Sequence, residues 1–248
     1  MKAIIIAAGY GSRLGQYTKE KPKGLLEVNG KTILDRQISL FRKNGIKDII
    51  IITGPHKDFG IEGVTYINDE NYQTHDVLGS LMAAKNEFTG RILTSYSDIL
   101  FEESILKQLL KFTGDTGIPI DLDWEKNYEG RTEHPKSEAD NVLIKNEKVI
   151  QIQKLIEKKE DKDIIGEFLG PMVLSEKGAK IFVQEFLKLV ENHHGRFHKA
   201  ESLEKAYLTD MLQELIEQGK NIEPIIISGK WCEIDTPQDL ENARKLFR

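Results

Sequence analysis

One stretch restricts the chain more than any other: a run of apolar residues that ends abruptly in a glycine-rich loop. Lys2 to Ala8 is isoleucine-rich and unbroken by polar residues, which predicts a strand buried on both faces. Ala7-Ala8-Gly9-Tyr10-Gly11-Ser12-Arg13-Leu14 follows at once. Glycines lack the Cβ that would keep a ligand away from the backbone, so their N–H groups can turn onto an anion. Arg13 adds a delocalised charge matched to phosphate oxygens. Two common glycine-loop chemistries fail on spacing. A dinucleotide fingerprint starting at Gly9 needs a third glycine where Leu14 stands, and no Walker A string occurs. A phosphate cradle of another type remains. Lys23, ten residues past Arg13, is close enough for the loop to fold it back over the same phosphates.

The rest of the first half alternates strand and helix patterns. Helices are expected at Ile33 to Asn44 with a glycine stop at Gly45, at Leu78 to Lys85 and at Glu102 to Phe112. Strands are expected at Asp48 to Thr53, Val64 to Asn68, Arg91 to Ser95 and Gly117 to Leu122. This alternation predicts a mostly parallel sheet covered on both faces, a Rossmann-like three-layer α/β/α sandwich. The second half is less regular. Asn146-Glu147 marks a hairpin between Asn141–Ile144 and Val149–Gln153, and Ile164 to Leu174 reads as extended. Helices are expected over Ser175 to Glu191 and Ala200 to Gln218. Ile222 to Ile227 reads as a strand, and Thr236-Pro237 opens a last helix. No repeat or low-complexity linker divides the chain. A single domain over 1–248 is expected, with a nucleotide-binding part over about 1–115 and an acceptor-binding part over about 116–235.

Charge narrows the partners. Acidic residues number 40 and basic ones 35, a formal charge of -5 with no basic stripe, so a nucleic-acid partner is not expected. The single cysteine, Cys232, rules out a disulfide within the chain. The apolar run at the N-terminus is too short to span a membrane, so a cytoplasmic protein with no membrane partner is expected. Oligomeric state is left open, a homodimer among the options.

Ala7-Ala8-Gly9-x-Gly11-Ser12-Arg13-Leu14, then Thr18, Lys21-Pro22-Lys23-x-Leu25 and Val28-x-Gly30-Lys31, resembles the nucleotidyltransferases that make sugar nucleotides and CDP-activated headgroups. The resemblance implies the nucleotidyltransferase (GT-A-like) fold. It implies a triphosphate held by Ala8, Gly9, Gly11 and Ser12, with Arg13 and Lys23 as the catalytic cations on the α-phosphate and the leaving pyrophosphate. It also implies Mg²⁺ on Asp98, past the Ile92-Leu93-Thr94 strand, and on Asp235 in Glu233-Ile234-Asp235-Thr236-Pro237. A hard dication needs only one or two carboxylates. Without the resemblance, Asp98 reads equally as a loop acid and Asp235 as a neighbour of a helix cap.

His75-Asp76-Val77-Leu78-Gly79-Ser80-Leu81 lacks the Gly-Thr-Ala-like stretch of sugar-nucleotide enzymes. Its Ser80-Leu81 is more similar to the phosphocholine and phosphonate cytidylyltransferases, which implies Asp76 and Ser80 near the nucleotide and CTP as donor. The segment Asp121, Asp123, Trp124, Tyr128, Arg131 looks like the acceptor region of those enzymes, and Lys154 and Glu167 fall where the family meets the acceptor. The expected acceptor is therefore a small phosphonate or phosphate monoester held by Asp123, Trp124, Arg131, Lys154 and Glu167. A sugar-1-phosphate enzyme using UTP, dTTP or GTP is the nearest alternative, and a non-catalytic nucleotide-binding subunit the alternative of another class. His193-His194 reads as a solvated helix end and Asp210 as a buried hydrogen-bonding acid.

Overall fold

The computed structural model describes residues 1–248 except Tyr10, Glu20 and Lys159; of the expected Gly9–Lys23 loop, Tyr10 and Glu20 therefore lie outside the described residues. The chain runs β1 (Lys2–Ala7), 3-10 turns at Ser12–Tyr17 and Lys23–Leu25, β2 (Glu27–Val28), β3 (Lys31–Thr32), α1 (Ile33–Lys43), β4 (Asp48–Thr53), β5 (Thr65–Asn68), α2 (Val77–Ala83), β6 (Ile92–Tyr96), β7 (Ile99–Phe101) and α3 (Glu103–Lys111). It continues with β8 (Thr116–Asp121), β9 (Asp140–Lys145), β10 (Lys148–Lys154), β11 (Ile164–Phe168), β12 (Met172–Leu174), α4 (Glu176–Asn192), α5 (Leu208–Glu217), β13 (Glu223–Ile226), β14 (Trp231–Glu233) and α6 (Pro237–Leu246).

Alternation along β1 sends its side chains into two cores. Ile4 and Ile6 join Ile50 and Ile52 under α2, α4 and α5. Ala3 and Ile5 join Ile49 and Ile51 under α1 and α3 on the other face. A third cluster, Leu14, Leu26, Val28, Ile33, Ile234 and Leu240, seats the phosphate-loop turns and α6 beside the sheet. The three-layer mixed sheet is thus present, with β1 parallel to both β4 and β6, and β4 parallel to β5. β12 runs antiparallel between β6 and β8, and β13 closes the far edge parallel to β8.

The expected extended run Ile164 to Leu174 is interrupted. β11 and β12 share one edge of β8, and the chain bends between them at Gly170, whose φ is 101°. A Cβ there would stand 2.5 Å from the Tyr96 ring, so only glycine fits. The bend lets β11 leave β6 and pair with β9, which opens a cleft between β6 and the β9–β10 hairpin. That hairpin turns at Asn146 and Glu147, both at positive φ (49° and 60°), the two-residue geometry that matches strand twist.

The helix expected from Ala200 begins only at Leu208. Tertiary hydrogen bonds override its pattern: Asp76 N–H donates to Glu204 O (2.9 Å) and Leu78 N–H to Ala206 O (3.0 Å), which holds 204–206 against the start of α2. Asp210 then caps α5 by accepting from the Tyr207 N–H at 2.9 Å. No helix among the described residues is long and apolar enough to cross a membrane.

Candidate active site

The site lies beyond the carboxyl ends of β1 and β6, where open α/β sheets gather ligands. Gly11 sits at φ 63°, and its carbonyl accepts from Thr18 Oγ1 (2.7 Å) and Leu14 N (3.1 Å), which curls the loop back on itself. Gly24 touches Leu34 and Ser97 so closely that a Cβ would come within 2.7 Å of Leu34. That contact brings the Pro22-Lys23 corner against the end of β6. On the other side Ser97 N–H donates to Ile6 O (3.0 Å) and Ile234 N–H to Asp98 O (2.9 Å). The second bond extends the β7–β14 pairing and sets Asp98 and Asp235 side by side.

Lys23 lies between these two acids. Its Nζ donates to Asp98 Oδ2 at 2.7 Å and to Asp235 Oδ1, while Arg13 Nη2 meets Asp235 Oδ2 at 2.8 Å. Burial alone would pull the Lys23 ammonium down, but the Asp98, Asp235 and Glu233 charges outweigh it and hold it above its ordinary value. For Asp235 burial pushes upward, and Lys23 and Arg13 overcome it and hold the carboxyl below its usual range. Asp98 Oδ1 is buried with no hydrogen-bond partner among the described residues.

Several residues of the site escape the sequence reading. Gln37, on the buried stripe of α1, donates to Tyr96 O (2.8 Å) and Ile99 O (2.5 Å) and so fixes the loop that carries Asp98. Its signal was a polar residue amid Leu34, Ile38 and Phe41. Glu233 stands two residues before Asp235, where β-alternation places it toward the same side. Burial first, then the Asp235 and Asp98 charges, push its carboxyl well above the usual range. His134 is 4% exposed, with Nδ1 3.5 Å from Asp235 Oδ2. Only the fold brings it there.

A cleft of 1110 Å³ runs from the phosphate loop to the β9–β10 hairpin. Gly9, Gly11, Ser12, Arg13, Lys23, Asp98 and Asp235 line one end, and Lys154 and Glu167 the other. Ala8 is buried directly beneath the loop. Lys154 Nζ pairs with Glu138 at 2.5 Å. Glu167 accepts from the Tyr128 hydroxyl through Oε1, while Oε2 has no hydrogen-bond partner among the described residues; burial pushes this carboxyl up to about 8 against the opposing pull of Tyr128 and Arg131. Asp140, beside Lys154, is raised by burial to about 6.

Four expected ligand contacts are corrected. Arg131 does not line the cleft: its Nε is bonded to Asp239 Oδ1 at 2.8 Å, and its guanidinium lies 4.9 Å over the Tyr128 ring. Asp239 Oδ2 in turn accepts from the Asp235 and Thr236 N–H groups (3.2 and 3.0 Å), so Arg131 braces the turn behind the acids. Trp124 packs with Tyr128 and Ala139 in a small core cluster, because the 3-10 turn that carries it faces inward. Asp123 is 77% exposed and pairs with Lys126 on that turn. Ser80 is buried, its hydroxyl spent on Asp69 Oδ2 at 2.8 Å. Asp76 stands just outside the cleft lining, next to Val77 within it.

The model of the MobA-like NTP transferase domain matches residues 3–164, well over half of the chain. The chain belongs to the MobA-like NTP transferase domain family. It is accordingly an enzyme of the nucleotidyltransferase class. Among the curated members it resembles CTP:phosphoglutamine cytidylyltransferase of Campylobacter jejuni subsp. jejuni serotype O:2, at 28% identity over 97% of this chain and 98% of that protein. It is 26% identical to the bifunctional IPC transferase and DIPP synthase of Thermococcus kodakarensis, over 99% of this chain but only 50% of that longer protein. The solved structure of CTP:phosphocholine cytidylyltransferase from Streptococcus pneumoniae superimposes with a TM-score of 0.72 at 22% identity, over 100% of this chain and 99% of that one, which shows the shared fold.

Proposed function

We propose that this nucleotidyltransferase moves CMP from CTP onto a small acceptor that carries a phosphate monoester or phosphonate, with Mg²⁺ as cofactor and release of pyrophosphate. The observation that carries the reading is the placement of Lys23 between Asp98 and Asp235, with Arg13 on the outer oxygen, at the mouth of a glycine loop. CTP as donor follows the relatives whose names specify it.

Asp98 and Asp235 would hold the metal. A buried carboxylate oxygen without a partner, beside a second carboxylate, suits a hard dication with oxygen ligands. When bound, Mg²⁺ neutralises charge on the triphosphate. The chain's own residues do the rest. Backbone N–H groups of Gly9, Gly11 and Ser12 cradle the phosphates. Arg13 and Lys23 exchange carboxylate partners for phosphate oxygens and offset the charge that builds on the leaving pyrophosphate. Lys154 receives the phosphoryl group of the acceptor, and Glu167 faces its other end. An acceptor oxygen then forms a bond to the α-phosphorus as the bond to the bridging oxygen breaks. Positioning and charge supply the rate, with no covalent enzyme intermediate.

Pyrophosphate release from CTP, UTP, dTTP and GTP, each with phosphocholine, phosphorylated glutamine, small phosphonates and sugar 1-phosphates, tests the reading. Fastest release from CTP with a non-sugar acceptor supports it. Faster release from UTP, dTTP or GTP with a sugar 1-phosphate would replace it with the sugar-nucleotide reading.

A further inference from the structure

Beside the acids of the phosphate-loop end stands an imidazole that the transfer chemistry does not use. His134 is almost fully buried, and it lines the cleft together with Glu233 and Asp235. The chain holds it there firmly. The loop before it is fastened to the first turn of α6: Gln238 Oε1 accepts from Thr132 N (2.8 Å) and Glu133 N (3.2 Å), and Gln238 Nε2 donates to Gly130 O (2.9 Å). The Tyr128 ring meets the imidazole edge-on, with 6.1 Å between centroids.

So placed, both ring nitrogens face carboxylates. Nδ1 lies 3.5 Å from Asp235 Oδ2 and 3.7 Å from Asp239 Oδ2, and Nε2 lies 3.9 Å from Glu233 Oε2. These separations are too long for good hydrogen bonds, and Nδ1 has no hydrogen-bond partner among the described residues. A neutral imidazole carries one N–H and one lone pair. In either tautomer a lone pair therefore points toward a carboxylate, an arrangement that calls for a positive charge between them. Asp239 is already satisfied by Arg131 and by the Asp235 and Thr236 N–H groups. Glu233 is not: the approach to His134 is its only ion pair among the described residues. One ligand atom from each of His134, Glu233 and Asp235 lies within 4.8 Å of the other two. Ligands bound about 2.0–2.2 Å from one ion stand roughly 3–4.4 Å apart, so a small closure of the three side chains suffices.

We propose that His134, Glu233 and Asp235 form a second divalent-cation site, which takes a borderline transition ion such as Zn²⁺ through one imidazole nitrogen and two carboxylates. It adjoins the proposed Mg²⁺ pair through Asp235 but does not use Asp98. Donor type separates the two sites, because Mg²⁺ favours oxygen ligands alone and Zn²⁺ binds imidazole beside carboxylates. An ion there offsets the charge on Glu233 and Asp235 when Lys23 and Arg13 turn to the triphosphate, so Asp235 keeps its place.

Two measurements on the nucleotide-free protein test the site, with each variant's melting temperature recorded. Competition against a Zn²⁺ indicator gives affinity. Mn²⁺ binds such sites more weakly, but spin-echo modulation of the bound ion reports a directly bonded nitrogen. The wild type should show nitrogen modulation. His134→Gln should abolish it and weaken Zn²⁺ binding by at least about tenfold. Glu233→Gln should weaken Zn²⁺ binding similarly, and it carries the test if His134→Gln does not fold. Asp98→Asn should keep the modulation. So should His198→Gln, which removes the imidazole of the other such cluster, His198, Glu214 and Glu217. Absence of modulation in the wild type, its survival in His134→Gln, its loss in Asp98→Asn or His198→Gln, or unchanged Zn²⁺ affinity in Glu233→Gln overturns the site. None of these readouts uses turnover, so the result stands apart from the donor and acceptor assignments.

Discussion

The two ends of the cleft satisfy their charges differently. At the phosphate-loop end the two candidate metal acids are paired with cations: Asp98 and Asp235 share Lys23, and Asp235 also takes Arg13. At the hairpin end the acids outnumber the cations that reach them. Among the described residues Glu167 has no ion pair, Asp140 stands opposite Lys154 in the β9–β10 pairing without bonding to it, and Lys154 is bonded to Glu138. The one arginine expected there, Arg131, is spent on Asp239 behind the floor. The first end is preorganised for a polyanion and can release two cations to it. The second holds carboxyls shifted toward neutrality by burial, which suits an acceptor with hydrogen-bond donors beyond its phosphoryl group.

Removing the shared cation should break this contrast most visibly. Lys23→Ala is expected to lower kcat by about 10²–10³. Asp98 and Asp235 would then lose the cation between them, with Arg13 left on Asp235 alone, so binding of Mn²⁺ in the absence of nucleotide should tighten, as followed by the spin-resonance signal of the free ion. A near-native kcat with normal melting would show that Lys23 takes no part in turnover.

Arg131 gives the next effect. A ligand for the acceptor would raise acceptor KM on mutation, whereas a brace lowers stability. Arg131→Ala leaves Asp239 buried without its cation, and loss of one partner of such a pair costs about 3–5 kcal/mol. Thermal melting should drop sharply for this variant, and for Arg131→Lys by less. Unchanged melting with a selectively raised acceptor KM would return Arg131 to the acceptor site.

The smallest effect concerns Glu167. Its carboxyl is raised by burial in the folded chain to about 8, from an ordinary value of about 4.5, so the folded state binds the extra proton. The stability tied to that proton is fully present below about 4.5 and is lost as pH rises through about 8. Glu167→Gln cannot ionise. Its melting temperature relative to the wild type should therefore climb between pH 5 and pH 9, by an amount on the order of a few degrees. A flat difference across that range would mean the wild-type carboxyl titrates normally.

The same contrast explains what the sequence made legible. The phosphate-loop end is built from contiguous residues, Gly9 to Arg13 and Pro22-Lys23, and from acids at the ends of recognisable strands, so spacing and resemblance both point to it. The hairpin end depends on contacts far apart in the chain. Arg131 meets Asp239 across 108 residues, and Tyr128 meets Glu167 across 39. Nothing local marks Trp124 as core or Ser80 as a partner of Asp69. The helix misplaced at Ala200 fails for the same reason, since residues 204–206 serve the distant start of α2 and not their own periodicity.

The central claim is transfer at the α-phosphorus by the site around Lys23, Asp98 and Asp235. Its most direct test follows CTP labelled at the α-phosphate, in the presence of Mg²⁺ and the best acceptor from the donor panel. The account predicts that the label appears on the acceptor in one-to-one ratio with pyrophosphate, and that chelation of the metal stops both. Release of inorganic phosphate with the label retained on CDP, or undiminished transfer after chelation, would contradict it.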